Sequence, residues 1–222
     1  EPARSGDTFR VVTYNVEYGG DPEGLAREIL RNPAIASGDV FLIQEEEDHP
    51  DEESTRARRL AELLGMGWVY VPARVIDGYT HGSAIMSRYP IENVEVMALP
   101  LYDPEQQRIA IRADLVIGDV RLHLVNVHLE TRINFRERIR HVRPALVDLP
   151  AQVILAGDVN TNPYLWEYVT IPLLGAAQVV DTDQAPLLDD YMRCLGFDTP
   201  TATVGPTERK LGVQSRVDGS FT

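Results

Sequence analysis

Val153-Ile154-Leu155-Ala156-Gly157-Asp158-Val159-Asn160 is the stretch that decides how this chain folds. Val153 to Ala156 form a short continuous apolar run, the pattern of a strand buried on both faces. It ends in a glycine, a carboxylate and an amide. Gly157 permits close backbone approach. Alternation along an extended segment puts Asp158 and Asn160 on one side. There the carboxylate can align or deprotonate a water, and the amide can donate to a phosphoryl oxygen. The competing reading is a polar turn with Asx capping.

Four more signatures stand at the ends of apolar runs. Val40-Phe41-Leu42-Ile43-Gln44 leads into Glu45, which at the carboxyl end of a buried strand would face a crevice. Magnesium binds through one or two carboxylates and keeps its waters, so Glu45 suffices as a principal ligand; the alternative is a solvated acidic run through Asp48. Leu124-Val125-Asn126-Val127-His128 ends in an imidazole that shares a strand face with Asn126 and Glu130. His128 can hold phosphate charge as imidazolium or donate to a leaving oxygen, or it is a structural hydrogen-bonding residue. Asn15 closes a first strand, with Glu17 two residues on; either can bind metal or orient Glu45 from behind. In Ser215-Arg216-Val217-Asp218, Asp218 suits a carboxylate that orients an imidazole. These strand ends can meet in one cleft fit for a divalent cation and a phosphate ester.

Working outward, Phe9–Asn15 reads as a strand, Asp21-Pro22-Glu23 as a helix start, and Asp39–Ile43 as a buried strand. Leu60, Leu63 and Leu64 mark an amphipathic helix ending near Gly65 or Gly67. Strands are expected at Trp68–Val71, Ala84–Ser87, Val94–Leu99, Ile109–Ile117 and Val120–His128, with Gly118-Asp119 as a hairpin turn. Asn134–Leu149 reads as helical, Asn162–Gly212 as loop-rich, and Arg216–Thr222 as one more strand. Arg136, Arg140 and Arg143 share one face of the helix after His128, among a cluster that includes Arg132 and Arg138, and form the best local docking surface for a polyanion; a solvated face is the plainer reading.

The 222 residues suffice for one large domain with a substantial core. A net charge of −13 argues against binding nucleic acid through a broadly basic face, though not against meeting a phosphate through metal and a few arginines. No run approaches the roughly 18 apolar residues of a membrane span. Cys194, the single cysteine, rules out an internal disulfide and leaves the compartment open: a soluble protein is expected, cytoplasmic or secreted after removal of a leader.

In this order the blocks resemble the endonuclease/exonuclease/phosphatase superfamily, with the deoxyribonuclease I-like and exonuclease III-like fold. Val12-Thr13-Tyr14-Asn15-Val16, Leu42-Ile43-Gln44-Glu45, Gly82-Ser83-Ala84-Ile85-Met86-Ser87-Arg88-Tyr89-Pro90, Val125-Asn126-Val127-His128-Leu129-Glu130 and Gly157-Asp158-Val159-Asn160 carry the likeness. The resemblance implies an α/β (α+β) four-layer sandwich: two mixed β-sheets face to face, helices on the outer faces. It also implies a phosphodiesterase or phosphatase dependent on Mg²⁺ or Mn²⁺. Glu45 would bind the metal with Asn15 beside it and Glu17 at an acidic position near it. Asp158 would activate water, Asn160 would stabilise the phosphorane, His128 would contact phosphate, and Asp218 would orient a catalytic histidine. Such members normally end in a Ser-Asp-His segment beyond the Arg-x-Asp strand. Here only four residues follow Asp218, and none of His49, His81, His123 or His141 matches it. Residues 1–8 are therefore expected to be an extension and 9–222 a domain short of its C-terminal end, with that histidine beyond residue 222. The substrate is a phosphate ester, with nucleic acid the favoured class. The alternative is a non-catalytic domain of the same fold that binds a phosphorylated or protein partner.

Overall fold

The computed structural model describes residues 8–166, 177–180, 183–210 and 213–222. In chain order the elements begin with β1 (Val11–Asn15), α1 (Pro22–Arg31), α2 (Pro33–Ala36), β2 (Val40–Asp48), α3 (Arg56–Leu64), β3 (Gly67–Ile76), β4 (Tyr79–Ser87) and β5 (Ile91–Ala98). They continue with β6 (Ile109–Ile117), β7 (Val120–His128), α4 (Phe135–Val142), β8 (Val153–Asp158), β9 (Tyr164–Trp166), β10 (Ala177–Val180), α5 (Gln184–Cys194), β11 (Glu208–Lys210), β12 (Val213–Ser215) and β13 (Asp218–Phe221). Two mixed sheets result, one ordered β1-β2-β4-β3 and the other β13-β8-β7-β6-β5; β9–β10 and β11–β12 are two-stranded ribbons.

Strand β2 shows why the sheets stack. Its residues alternate between two apolar environments: Val40 and Leu42 meet Ile109, Ile111 and Leu124 of the other sheet, while Phe41 and Ile43 pack against Ile29 of α1 and Leu60 of α3. On the far side, Val125, Val127 and Leu155 pack against Val142 of α4 and Leu188 and Met192 of α5. The layers run helix, sheet, sheet, helix, as expected. Each fully buried leucine or isoleucine contributes about 1.5–3 kcal/mol from removal of its surface from water, so the three interfaces together fix the strand register.

Polar bonds also cross between the sheets. Asn126 of β7 donates to the carbonyls of Ile43 (3.0 Å) and Ala84 (2.9 Å), and its oxygen accepts from Gln44 Nε2 at 2.7 Å. Arg138 of α4, wholly buried, donates to the carbonyls of Glu130, Val159 and Ile133 and to Gln184 Oε1.

Three expectations need correction. The helical stretch 134–149 is α4 followed by a 3-10 turn at Arg143–Leu146, because Pro144 lacks the N–H that a continuing α-helix requires. Within the region read as loop, α5 forms with Asp183 as its cap (Ala185 N–H to Asp183 Oδ1, 3.0 Å) and Pro186 harmlessly in its first turn. Strand β4 begins at Tyr79, well before Ala84, and β3 runs on to Ile76 despite Pro72, where a bulge absorbs the lost donor. Among the described residues no helix is long and apolar enough to cross a membrane.

Candidate active site

Strand register brings the signatures together. In the five-stranded sheet His128 pairs with Asp158 and Asp158 with Asp218, so β7, β8 and β13 present the three side chains in one row. In the other sheet Asn15 pairs with Gln44, and Glu45 follows directly. The two rows face each other across a cleft of about 570 Å³ lined by Asn15, Glu17, Glu45, Asp158, Asn160 and Asp218 among others. Gly157 makes the row possible: a Cβ there would lie 2.0 Å from the Val127 carbonyl oxygen, and its φ of +151° is open chiefly to glycine.

Glu45 reaches the cleft through a defect in its strand. It adopts φ +60° where the β2–β4 register slips between Gln44 and Glu46. The bulge turns Glu45 out of the alternation, and its Oε1 lies 3.6 Å from His128 Nε2. Glu46 and Glu47, next in the same acidic run, are buried elsewhere. Glu47 holds Arg56 (3.0 Å) and His49 (2.7 Å). Burial raises the Glu46 carboxyl to about 8.

Asp158 is clamped at both oxygens: Asn15 Nδ2 donates to Oδ2 at 2.9 Å and the Asn160 backbone N–H to Oδ1 at 2.8 Å. Burial, then the Asp218 and Glu45 charges, push its carboxyl up to about 7 against these two donors. Burial likewise raises Asp218. Two readings shift here. Asn15 steadies Asp158, not Glu45, while its oxygen accepts from Glu17 N–H (3.0 Å). Asn160 reaches the cleft by a turn with φ +51°, not by strand alternation, and the Asx-type bond to Asp158 makes that turn. The Asn160 amide donates to the Leu129 carbonyl (2.9 Å), which leaves its second N–H for another acceptor.

His128 is fully enclosed. Burial first, and then the Arg108 guanidinium, hold it well below the ordinary histidine range, which favours the neutral imidazole over the imidazolium. Arg108 Nη1 lies 3.0 Å from both ring nitrogens. The fixed positive charge of the cleft therefore comes from Arg108, with Arg74 of β3 on the wall beside it. The sequence reading missed both. The available signal was a cation directly before an apolar run, Gln107-Arg108-Ile109. Arg136 and Arg140 of α4 and Arg143 of the 3-10 turn after it are exposed and do not line the cleft, whereas Arg138 of α4 is buried as described above.

A divalent cation fits this donor set in the manner of magnesium. Among the described residues no three His, Cys, Asp or Glu side chains form a ready cage. Magnesium needs none, because it dehydrates reluctantly and binds through one or two carboxylates plus the phosphates of its substrate. Glu45 is partly exposed to the cleft and keeps its carboxylate free of hydrogen bonds among the described residues.

The fold has many relatives of known structure. An endonuclease/exonuclease/phosphatase family protein from Leptotrichia buccalis superposes with a TM-score of 0.67 at 15% identity, covering 96% of this chain and 87% of that one. An AP endonuclease from Archaeoglobus fulgidus gives 0.62 at 16% identity, covering 96% and 86%. Sphingomyelinase C from Streptomyces griseocarneus gives 0.55 at 24%, covering 68% and 64%. Sequence comparison with curated proteins returns no match. The profile of the Endonuclease/Exonuclease/phosphatase family matches residues 12–218, across both rows of the cleft, and the chain belongs to that family, whose members are hydrolases of phosphoester bonds.

Proposed function

We propose that this chain hydrolyses a phosphoester by in-line attack of water, with Mg²⁺ or Mn²⁺ held at Glu45 and Asn15 beside it. The observation that carries this reading is the placement of Asp158: a buried carboxylate clamped by two donors, aligned in one row with His128 and Asp218 and facing Glu45. Burial pushes its carboxyl up from the ordinary aspartate range, the direction that suits a base taking a proton from water. Its two clamping donors leave one lone-pair direction on each oxygen for that water. Asn160 offers its remaining amide N–H to a phosphoryl oxygen, and Arg108 supplies fixed positive charge next to neutral His128. Burial, and then the Asp218 charge, keep the Asp158 carboxyl high. A bound divalent cation supplies further charge neutralisation to the phosphate.

The test is hydrolysis of bis(p-nitrophenyl) phosphate and of p-nitrophenyl phosphate with Mg²⁺ or Mn²⁺, with EDTA, and by Glu45→Gln. Expected are turnover that EDTA abolishes and metal restores, and a loss of roughly 10²–10³-fold in Glu45→Gln, the size of losing one charge-stabilising group. Turnover indifferent to EDTA, or a fully active Glu45→Gln, would overturn the assignment.

A further inference from the structure

We infer that the cleft takes a compact, nucleotide-sized phosphoester that carries a second anionic group, and that Arg74 receives that group. The inference rests on the reading above for the reacting end of the cleft and adds the other end.

Three observations lead to it. The first is Arg74 itself. It is half-buried on the cleft wall, makes no ion pair among the described residues, and its Nε has no acceptor. Its one hydrogen bond among the described residues is long, 3.4 Å, from Nη1 to the Glu105 carbonyl. Burial, and then the Arg108 charge, disfavour its protonated form against the more weakly acting Glu45 and Glu130 carboxylates. A guanidinium left underbonded on the wall wants an anion, whereas its neighbour Arg108 already has Glu130 (3.6 Å), Gln106 and His128 around it. Burying a cation with so few partners is costly unless something else completes it.

The second is the balance of charge. Arg74, Arg108 and Arg132 line the cleft against Glu17, Glu45, Glu130, Asp158, Glu208 and Asp218. Most other arginines are spoken for: Arg27, Arg31, Arg58, Arg121 and Arg193 pair with carboxylates, and Arg112 and Arg88 hold backbone carbonyls. A duplex bound through several phosphates would need many free cations along its track and would meet carboxylates here. With Arg108 shared between His128 and Glu130 (3.6 Å) and Arg132 exposed at the rim, the cleft has charge for one phosphate at the reacting end and one further anion at Arg74.

The third is size and shape. About 570 Å³ lies within the range of pockets for single small ligands. Its rim carries exposed Tyr14 and Tyr18. Tyr18 is held by a run of three left-handed residues, Glu17, Tyr18 and Gly19, with its carbonyl anchored by Arg56 at 3.0 Å. A strained turn that presents an aromatic ring to the cleft suits a planar base or aryl group.

The experiment compares two substrates that differ by one anion: thymidine 5′-(p-nitrophenyl phosphate) with and without a 3′-phosphate. It is paired with equilibrium binding of thymidine 3′,5′-bisphosphate, which needs no turnover. The 3′-phosphate should raise kcat/KM about tenfold or more, as expected for a charge-assisted bidentate contact. Arg74→Gln should bring that ratio towards one and weaken bisphosphate binding by a similar factor, with Arg74→Lys between. Hydrolysis of both substrates at equal kcat/KM would overturn the role of Arg74 while leaving the phosphoesterase reading intact. Binding that depends on Arg74 without hydrolysis would do the reverse. Cleavage of duplex DNA with a higher kcat/KM than either small substrate would overturn the compact-substrate assignment.

Discussion

The floor of the cleft and its walls use the same kinds of polar side chain, but only on the floor is every group bonded. On the floor, Asn126 and Gln44 tie one sheet to the other through bonds of 2.7–3.0 Å, and Arg138 behind them is spread over backbone carbonyls. On the walls, Arg74 Nε, Arg108 Nε, Glu130 Oε2 and Asp218 Oδ1 are buried without a hydrogen-bond partner, and Asp158 sits far from its ordinary acidity. Native proteins satisfy nearly all buried polar groups. Away from the cleft, Glu46 Oε2, Arg59 Nε and Asp189 Oδ1 also lack a hydrogen-bond partner among the described residues. It is therefore the exceptions lying beside the raised Asp158 carboxyl that suit a place where something binds or reacts. Asparagine and arginine occur in both regions. Between these two regions it is the number of partners that differs, not the residue type.

The sharpest way to break that contrast is Asp158→Asn. Turnover should fall roughly 10³-fold, the scale of losing a general base. Its unfolding free energy should stay within about 1 kcal/mol, because removing a buried charge offsets the weakened clamp. A fully active variant would sink the site assignment. Asn126→Ala should do the opposite. It strips partners from Gln44 and from two carbonyls, so urea denaturation should show a loss of about 3 kcal/mol. Turnover per folded molecule should hardly change. If Asn126→Ala instead lost its activity at unchanged stability, floor and wall would not be distinct.

The contrast also explains what the sequence could reveal. The sandwich was legible because Val40–Ile43 and Val153–Ala156 are apolar on both faces, which only a doubly covered strand tolerates. The signatures were legible because each ends a strand, and parallel pairing of β1 with β2 and of β7 with β8 brings strand ends to one edge. Within Gln44-Glu45-Glu46-Glu47, though, nothing local distinguishes the residue that faces the cleft from the two packed away from it. A one-residue bulge makes that choice, and its pairing partner lies on β4. Arg74 and Arg108 were missed for a similar reason. Their meaning depends on what they lack, and a missing partner is visible only once every neighbour is in place. Helix α5 was hidden by the prolines around it, although Pro186 occupies a turn where its missing N–H costs nothing.

Between floor and wall stands His141, which tests the contrast through pH. It is buried on α4, accepts from Glu130 N–H at 3.2 Å, packs edge-on to Tyr102, and is lowered to about 3 by burial, then by Arg138 and Arg108. The folded protein therefore keeps it neutral where the unfolded chain would take up a proton. Its stabilising effect is complete above the unfolded value of about 6.5 and falls as pH drops towards 3, by about 2 kcal/mol at pH 5. Raised carboxyls at Glu46 and Asp158 shift the opposite way, so the test is the difference between wild type and His141→Gln. The wild-type curve should be steeper by one proton between pH 6.5 and 4. Parallel curves would show that His141 titrates normally and that its site is wetter than its burial implies.

The smallest effect is expected from the most conspicuous charge in the sequence. Arg136, Arg140 and Arg143 face solvent on the outer helix layer, behind the five-stranded sheet, and none lines the cleft. Arg140 in the last turn of α4 gains a little from the helix dipole, and the others are ordinary solvated side chains. Replacing all three by glutamine should move stability by about 0.5 kcal/mol or less. For a compact substrate kcat/KM should be unchanged within error, because charges this remote are screened over about a Debye length of 10 Å at 0.1 M salt. A polymer would behave differently. If its track crossed α4, the triple variant would weaken binding uniformly and flatten the salt dependence by roughly one counterion per lost phosphate contact. Measuring kcat/KM on a small diester and on duplex DNA at two salt concentrations separates these cases. A loss confined to DNA, with a shallower salt slope, would make the outer helix a docking face. Equal activity of wild type and variant on both would leave α4 a solvated surface and the walls of the cleft as the place where this chain meets its substrate.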